Sequence, residues 1–158
     1  MILTSINIYV SNRQKLVPIR VRSVRKLLTF LLDTLHIVTH QVFVYFLEDK
    51  ALAHLHKKVF SDPSLTDTIT LPIDIPGSST YPHVLGEAFI SPEAAIRFLK
   101  HRPHTKEDLY EEISRYLIHS TLHMLGYNDT TPKEKTKMRV KENQLLCMLR
   151  ENDALLTA

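Results

Sequence analysis

Apolar and polar residues alternate in four short stretches of the chain, and this period of two predicts β-strands. The predicted strands cover residues 2–10, with alternation from Ile6 onward, and residues 41–47, 66–73 and 85–91. Pro72 stands near the end of the third strand. Because proline cannot donate to a strand ladder, it predicts an edge strand or a strand terminus there.

Apolar residues spaced by three and four predict about five helices between and after these strands. The predicted helices cover residues 18–35, 49–59 and 92–101, a long helix after Thr105 and a last helix after Thr131. Strands and helices do not alternate strictly. The order therefore favours an α+β fold, a small mixed four-stranded sheet packed against the helices. Residues 74–82, with a Gly-Ser-Ser run and two prolines, are predicted to form a mobile flap.

Composition sets bounds on the class of protein. A chain of 158 residues with 44% hydrophobic content is expected to form one domain over residues 1–158. The single cysteine, Cys147, fits a cytoplasmic protein, and its apolar neighbours predict a core position. No stretch reaches the roughly 18 apolar residues of a membrane span, and Asn7 and Arg13 argue against a signal peptide. The net charge of +3 permits an anionic partner such as RNA without requiring one.

The chemistry of the chain is concentrated in two histidines, His119 and His123, on the long helix predicted after Thr105. Residues four apart share one helix face, so the two imidazoles lie one turn apart. Gly126 is predicted to end this helix, and Asp129 follows in the next turn. Two imidazoles and a carboxylate make a three-ligand metal site whose fourth position stays free for water.

The alternative is that the histidine pair is only a packing or surface feature. Nine histidines in 158 residues place some pairs at this spacing by chance. The residues around the pair are apolar nearly all round, however, which predicts a buried helix at the centre of the fold. Burying two imidazoles is costly unless both are satisfied, and a shared metal satisfies both.

The motif also resembles a known family. The chain has His119-Ser-Thr-Leu-His-Met-Leu-Gly-Tyr-Asn-Asp129, which is similar to the signature His-Gly-x-Leu-His-Leu-x-Gly-Tyr-Asp-His of the YbeY family, the rRNA maturation factors. Thr-Asp-Thr-Ile-Thr-Leu-Pro at 66–72 and Leu-Gly-Glu-Ala-Phe-Ile-Ser at 85–91 resemble two strands of the same family, in the same order.

The resemblance implies a metal-dependent, single-strand-specific endoribonuclease that matures the 3′ end of small-subunit rRNA and acts in ribosome quality control. It implies single-stranded RNA, the small ribosomal subunit and assembly factors as partners. It also implies one zinc ion per chain, held by the three residues that match the ligand positions, His119, His123 and Asp129.

The chain departs from the family pattern at three places. Ser120 replaces a glycine, and Asp129 replaces the third histidine. Aspartate is a competent zinc ligand, although its charge should make a bound water less acidic. The family's arginine before the Thr-Asp strand is absent, and Phe60 is the equivalent residue. Lys57 and Lys58 are candidate RNA-binding residues that would replace its charge, although ordinary surface lysines are the favoured interpretation.

Apart from a metal-bound water molecule, the sequence assigns no catalytic group. The carboxylates to test are Asp67, Glu87 and Glu112. Arg115 lies one turn before His119. It is expected either to bind phosphate or to form a salt bridge with Glu111 or Glu112 on its own helix, and the salt bridge is the favoured interpretation.

Two other classes of function stay open. The first is another zinc metallohydrolase, a peptidase or amidase. Ser120 stands where a zinc protease has its glutamate base, and a hydroxyl cannot serve as that base. The second is a non-catalytic ribosome- or RNA-binding protein with a structural metal, for which a closed four-ligand site would be expected. The sequence leaves the oligomeric state unknown.

Overall fold

The computed structural model describes residues 6–158 and has the predicted α+β architecture. Its strands are β1 (Asn7–Asn12), β2 (Gln41–Phe46), β3 (Thr68–Pro72) and β4 (Val84–Ile90). Its helices are α1 (Val21–Thr34), α2 (Asp49–Phe60), α3 (Pro92–Leu99), α4 (Lys106–Met124) and α5 (Pro132–Glu151). The first predicted strand lies partly outside the described residues, and β1 continues two residues beyond its predicted end.

The four strands form one mixed sheet in the order β1-β2-β4-β3. β1, β2 and β4 run parallel, and β3 pairs antiparallel with β4 at one edge. A parallel pair needs a crossover connection, and α1 supplies it between β1 and β2. Pro72 ends the edge strand β3, as predicted. The loop that joins β3 to β4 contains the predicted flap, whose mobility stays a prediction.

The motif helix α4 lies in the main hydrophobic core, which contains residues of the sheet and of α1, α3 and α5. Ile113, Leu117, Ile118 and Leu122 of α4 are at most 1% exposed. Each such side chain contributes about 1.5–3 kcal/mol by leaving water, so α4 is held firmly in place. The other face of the sheet is covered by a smaller cluster that includes Leu52 of α2. α4 therefore provides a rigid base for the two histidines.

The C-terminal end of α4 approaches the sheet closely because Gly86 has no side chain. A Cβ at Gly86 would lie 2.9 Å from the carbonyl oxygen of Leu71 and 3.1 Å from Cγ of Met124. A hydrogen bond from the Thr70 hydroxyl to Oγ of Ser120, 2.9 Å long, joins β3 to the same part of α4. Ser120 is thus a structural contact between the helix and the edge strand.

The prediction that Cys147 is a core residue is wrong, because Cys147 is exposed. The buried residues of α5 include Met138, Leu145 and Leu149, which recur at helical spacing. Cys147 lies two positions after Leu145, or about 200° around the helix, and so faces away from this stripe. In the described part of the chain, no helix is long and apolar enough to cross a membrane.

Candidate metal centre

Three side-chain atoms converge where α4 ends and the chain turns toward α5. Nε2 of His119 lies 3.0 Å from Nε2 of His123. Oδ2 of Asp129 lies 3.4 Å from each of these nitrogens. The structure therefore brings together the three residues that the sequence predicted as ligands, and they are the one such group in residues 6–158.

The other nitrogen of each imidazole is engaged by an acceptor. Nδ1 of His119 is 2.6 Å from Oε2 of Glu142, and Nδ1 of His123 is 2.9 Å from the backbone oxygen of Tyr127. A carbonyl or carboxylate oxygen only accepts, so we assign the proton of each ring to Nδ1. Both Nε2 atoms then direct lone pairs toward Asp129, which is the arrangement that metal-binding histidines require.

Three lone pairs that face one another repel unless a positive charge lies among them. Burial alone would lower the pKa of His119, but the hydrogen bond to Glu142 and the nearby carboxylates raise it above its ordinary value. The surroundings of this ring therefore favour a positive charge, which a proton or a metal ion can supply.

The spacing of the three atoms fits a first-row divalent metal. Ligands about 2.0–2.1 Å from a tetrahedral zinc ion lie about 3.3–3.4 Å from one another. The observed separations of 3.0, 3.4 and 3.4 Å match this geometry closely. Nitrogen and oxygen donors of this kind suit zinc and its neighbours in the first transition row. The residues present thus fit a metal ion, and the donor set alone does not select one metal.

A short, well-anchored turn carries Asp129 to the histidines. α4 ends at Met124, and Gly126 follows its C-cap residue with a φ of +98°, in the left-handed region that glycine adopts without strain, so the predicted helix stop is confirmed. The N–H groups of Gly126 and Tyr127 bond back to the carbonyls of His123 and Leu122. Beyond the turn, Thr131 caps α5 through a capping box with Glu134. The turn is therefore fixed at both ends, which limits the movement of Asp129.

Glu142 contacts the candidate site and is not among the residues predicted from the sequence. Its carboxylate is almost fully buried, at 5% exposure, and contacts both His119 and Arg115. The predicted pairing of Arg115 with Glu111 or Glu112 is wrong, because Arg115 instead pairs with Glu142 at 3.6 Å and donates to Asn143. A signal for Glu142 was present: it lies four residues after Met138 and three before Leu145, on the inward stripe of α5.

The candidate metal centre opens into a cleft of about 510 Å³, named here the His119 cleft. The residues that line it are Asp67, Phe98, Arg102, Glu112, Arg115, Tyr116, His119, Asp129, Lys135, Met138, Arg139 and Glu142. Burial raises the pKa of Glu112 above its ordinary value, and the cations nearby only partly offset this. The cleft thus contains three of the predicted site candidates besides the ligands, namely Asp67, Glu112 and Arg115.

The remaining predicted residues lie elsewhere. Glu87 stands between Gly86 and Ala88, which face α4, so its side chain points to the opposite face of the sheet. There it adjoins Tyr45, whose pKa is raised by burial and then by Glu87. Lys57 and Lys58 are exposed in the last turn of α2 and do not line the His119 cleft.

Comparisons with known proteins agree with this architecture. Residues 9–150 match the family model described as Endoribonuclease YbeY. Proteins named Endoribonuclease YbeY from Chlamydia pneumoniae and Chlamydia felis are 67% and 68% identical to the chain, over 97% and 96% of both lengths respectively. The solution structure of TM1509 from Thermotoga maritima has a TM-score of 0.57 at 19% identity, covering 94% of this chain and 95% of that one, which shows a shared fold.

Proposed function

The chain belongs to the YbeY endoribonuclease family, and we propose that it is a metal-dependent, single-strand-specific endoribonuclease that acts in rRNA processing. The observation that carries this proposal is the convergence of His119, His123 and Asp129 at an open cleft. We assign to it one zinc ion per chain and a cytoplasmic role at the 3′ end of small-subunit rRNA and in ribosome quality control. Residues 1–158 would form one YbeY-like domain.

The accessibility of the three ligands supports a catalytic centre over a structural one. The side chains of His119, His123 and Asp129 are 26%, 24% and 40% exposed, and two of them line the His119 cleft. A structural zinc site is closed by four protein ligands, whereas a catalytic site keeps one position open. Only three candidate ligands meet here among residues 6–158, which favours the catalytic alternative.

The residues around the centre have separable roles in this proposal. A bound zinc ion would act as a Lewis acid toward a phosphoryl oxygen and lower the pKa of a water molecule. Glu142 keeps the proton of His119 on Nδ1 and holds the ring with Nε2 toward Asp129. Arg115, fixed by Glu142 and Asn143, presents a guanidinium in the cleft that would stabilise the negative charge developing on the phosphate.

Asp67 is the carboxylate that we assign to proton transfer. It is exposed, lines the same cleft as His119, and is close enough to raise the pKa of that histidine. Glu87 points to the other face of the sheet, and Glu112 is more deeply buried than Asp67, with its pKa raised by that burial. In this role Asp67 would accept the proton of the attacking water, a contribution of about 10²–10⁴-fold in rate.

The test combines metal analysis with cleavage of RNA. The purified chain should hold one zinc ion and cleave a single-stranded rRNA fragment but neither an RNA duplex nor a peptide. The variant His123→Ala should lose both metal and cleavage, whereas His54→Ala, at an exposed histidine of α2, should keep both. Cleavage of peptide without RNA would replace the nuclease by a peptidase. RNA binding untouched by His123→Ala, without any cleavage by the wild type, would indicate a non-catalytic binding protein.

A further inference from the structure

Three cations in the His119 cleft have no acidic partner within the described residues 6–158. Arg102, Lys135 and Arg139 line the cleft and are exposed. Among residues 6–158, none of them forms an ion pair within 4.0 Å, whereas Arg115 in the same cleft is paired with Glu142. Unpaired cations beside a centre of this kind are available to bind the phosphates of a nucleic acid strand.

An exposed aromatic ring lies among these cations. Phe98 is 57% exposed at the end of α3, although the next residue, Leu99, is 1% exposed. The guanidinium carbon of Arg102 lies 5.1 Å from the centroid of the Phe98 ring. A single exposed phenylalanine is common and means little by itself. Here, however, the ring lines the same cleft as His119 and carries a cation beside it, a combination that binds unpaired bases.

The cleft also contains acidic residues. Asp129 and Glu142 are engaged at the candidate metal centre, and Asp67 and Glu112 line the cleft beside the three cations. A contact with a base does not depend on net charge, so it adds to the phosphate contacts that hold the substrate across His119.

We propose that Phe98 and Arg102 form a stacking platform for one unpaired base, while Lys135 and Arg139 of α5 hold adjacent phosphates of the same strand. This inference rests on the proposed nuclease function and names how the substrate is held. The stacking platform also explains why the enzyme would act on single-stranded RNA and not on a duplex. A base within a duplex is stacked on both of its faces, so it has no face free for Phe98.

The stacking contact is tested with two RNA probes. One is a short unstructured RNA labelled with fluorescein, and the other is an abasic strand of the same length and charge. Anisotropy of the metal-loaded chain is read before cleavage becomes detectable. Phe98→Ala should weaken binding of the RNA by about 5- to 150-fold and leave the abasic strand unaffected. Phe98→Tyr should restore binding. Tyr9→Ala, at a ring 46% exposed on the edge strand β1, is the matched control and should have no effect.

The phosphate contact is tested by the salt dependence of the same binding. Arg139→Ala should weaken both probes equally and lower the slope of log K against log salt by about 0.7, the value for one phosphate of a single strand. Arg22→Ala, at an exposed arginine of α1, is the control and should leave the slope unchanged. If the wild type binds and cleaves RNA while Phe98→Ala matches Tyr9→Ala, the platform is refuted and the nuclease stands. If the wild type binds no RNA, both are refuted.

Discussion

Replacing Glu142 by glutamine tests how the metal centre is supported. The buried carboxylate of Glu142 accepts from Nδ1 of His119 at 2.6 Å and pairs with Arg115 at 3.6 Å. A glutamine keeps the shape and one acceptor oxygen but removes the negative charge. His119 then becomes a weaker donor of electrons to a metal, and Arg115 loses its partner. Loss of such a supporting partner costs about 10- to 100-fold in metal affinity or activity.

The assay is a competitive titration of zinc against a chelator, followed on the same samples by RNA cleavage. Glu142→Gln should bind zinc about 10- to 100-fold more weakly and cleave less at subsaturating zinc. Glu151→Gln, an exposed glutamate at the end of α5, is the matched control and should bind zinc like the wild type. Circular dichroism of both variants checks that the helices remain.

An unchanged zinc affinity in Glu142→Gln would refute this reasoning, because the hydrogen bond to His119 would then contribute nothing to ligation. A lost fold would not decide the matter. In that case Glu142→Asp, which keeps the charge but shortens the side chain, provides the second comparison. Compared with the wild type, it should bind zinc more weakly, because the shorter side chain draws the carboxylate away from Nδ1 of His119.

Three further predictions follow from the geometry. Asp129→His should keep zinc, whereas Asp129→Ala should weaken its binding by at least about tenfold, measured by the same titration. Gly86→Ala should cost about 1–3 kcal/mol in the free energy of unfolding measured in urea, because the added methyl meets a carbonyl oxygen at 2.9 Å. Burial raises the pKa of Glu112 in the folded chain above its value in the unfolded chain. The free energy of unfolding therefore decreases as pH rises from below the unfolded-state pKa through the folded-state pKa. Glu112→Gln should raise the melting temperature at pH 7 and remove this decrease with pH.

The convergence of His119, His123 and Asp129 was predictable because it is local. A four-residue spacing on a helix, a glycine after the helix and one short turn determine it, and each of these can be recognised in the sequence. The edge position of β3 was likewise signalled by Pro72. Contacts between residues far apart in the sequence were harder to predict. Glu142 occupies a core position of α5, but no spacing rule shows that it meets His119 across two helices.

Arg115 shows why the pairing rules of a single helix fail in a packed core. Glu111 and Glu112 precede it by four and three residues on α4, and the rule for (i, i+4) and (i, i+3) pairs favours them. In the structure, Arg115 pairs with Glu142, and Glu111 pairs with Arg150 of α5. Pairing across the interface joins α4 to α5, and only the packing of the two helices reveals it. The position of Phe98 beside the metal centre is a tertiary feature of the same kind.

X-ray absorption at the zinc edge of the zinc-loaded chain tests the central claim most directly. The proposed centre predicts two imidazole nitrogens and carboxylate or water oxygens at about 2.0–2.2 Å, with no sulfur. His119→Ala should remove one imidazole from this shell. A sulfur ligand, which only Cys147 or a methionine could supply, or a shell without two imidazoles would contradict the assignment of His119, His123 and Asp129.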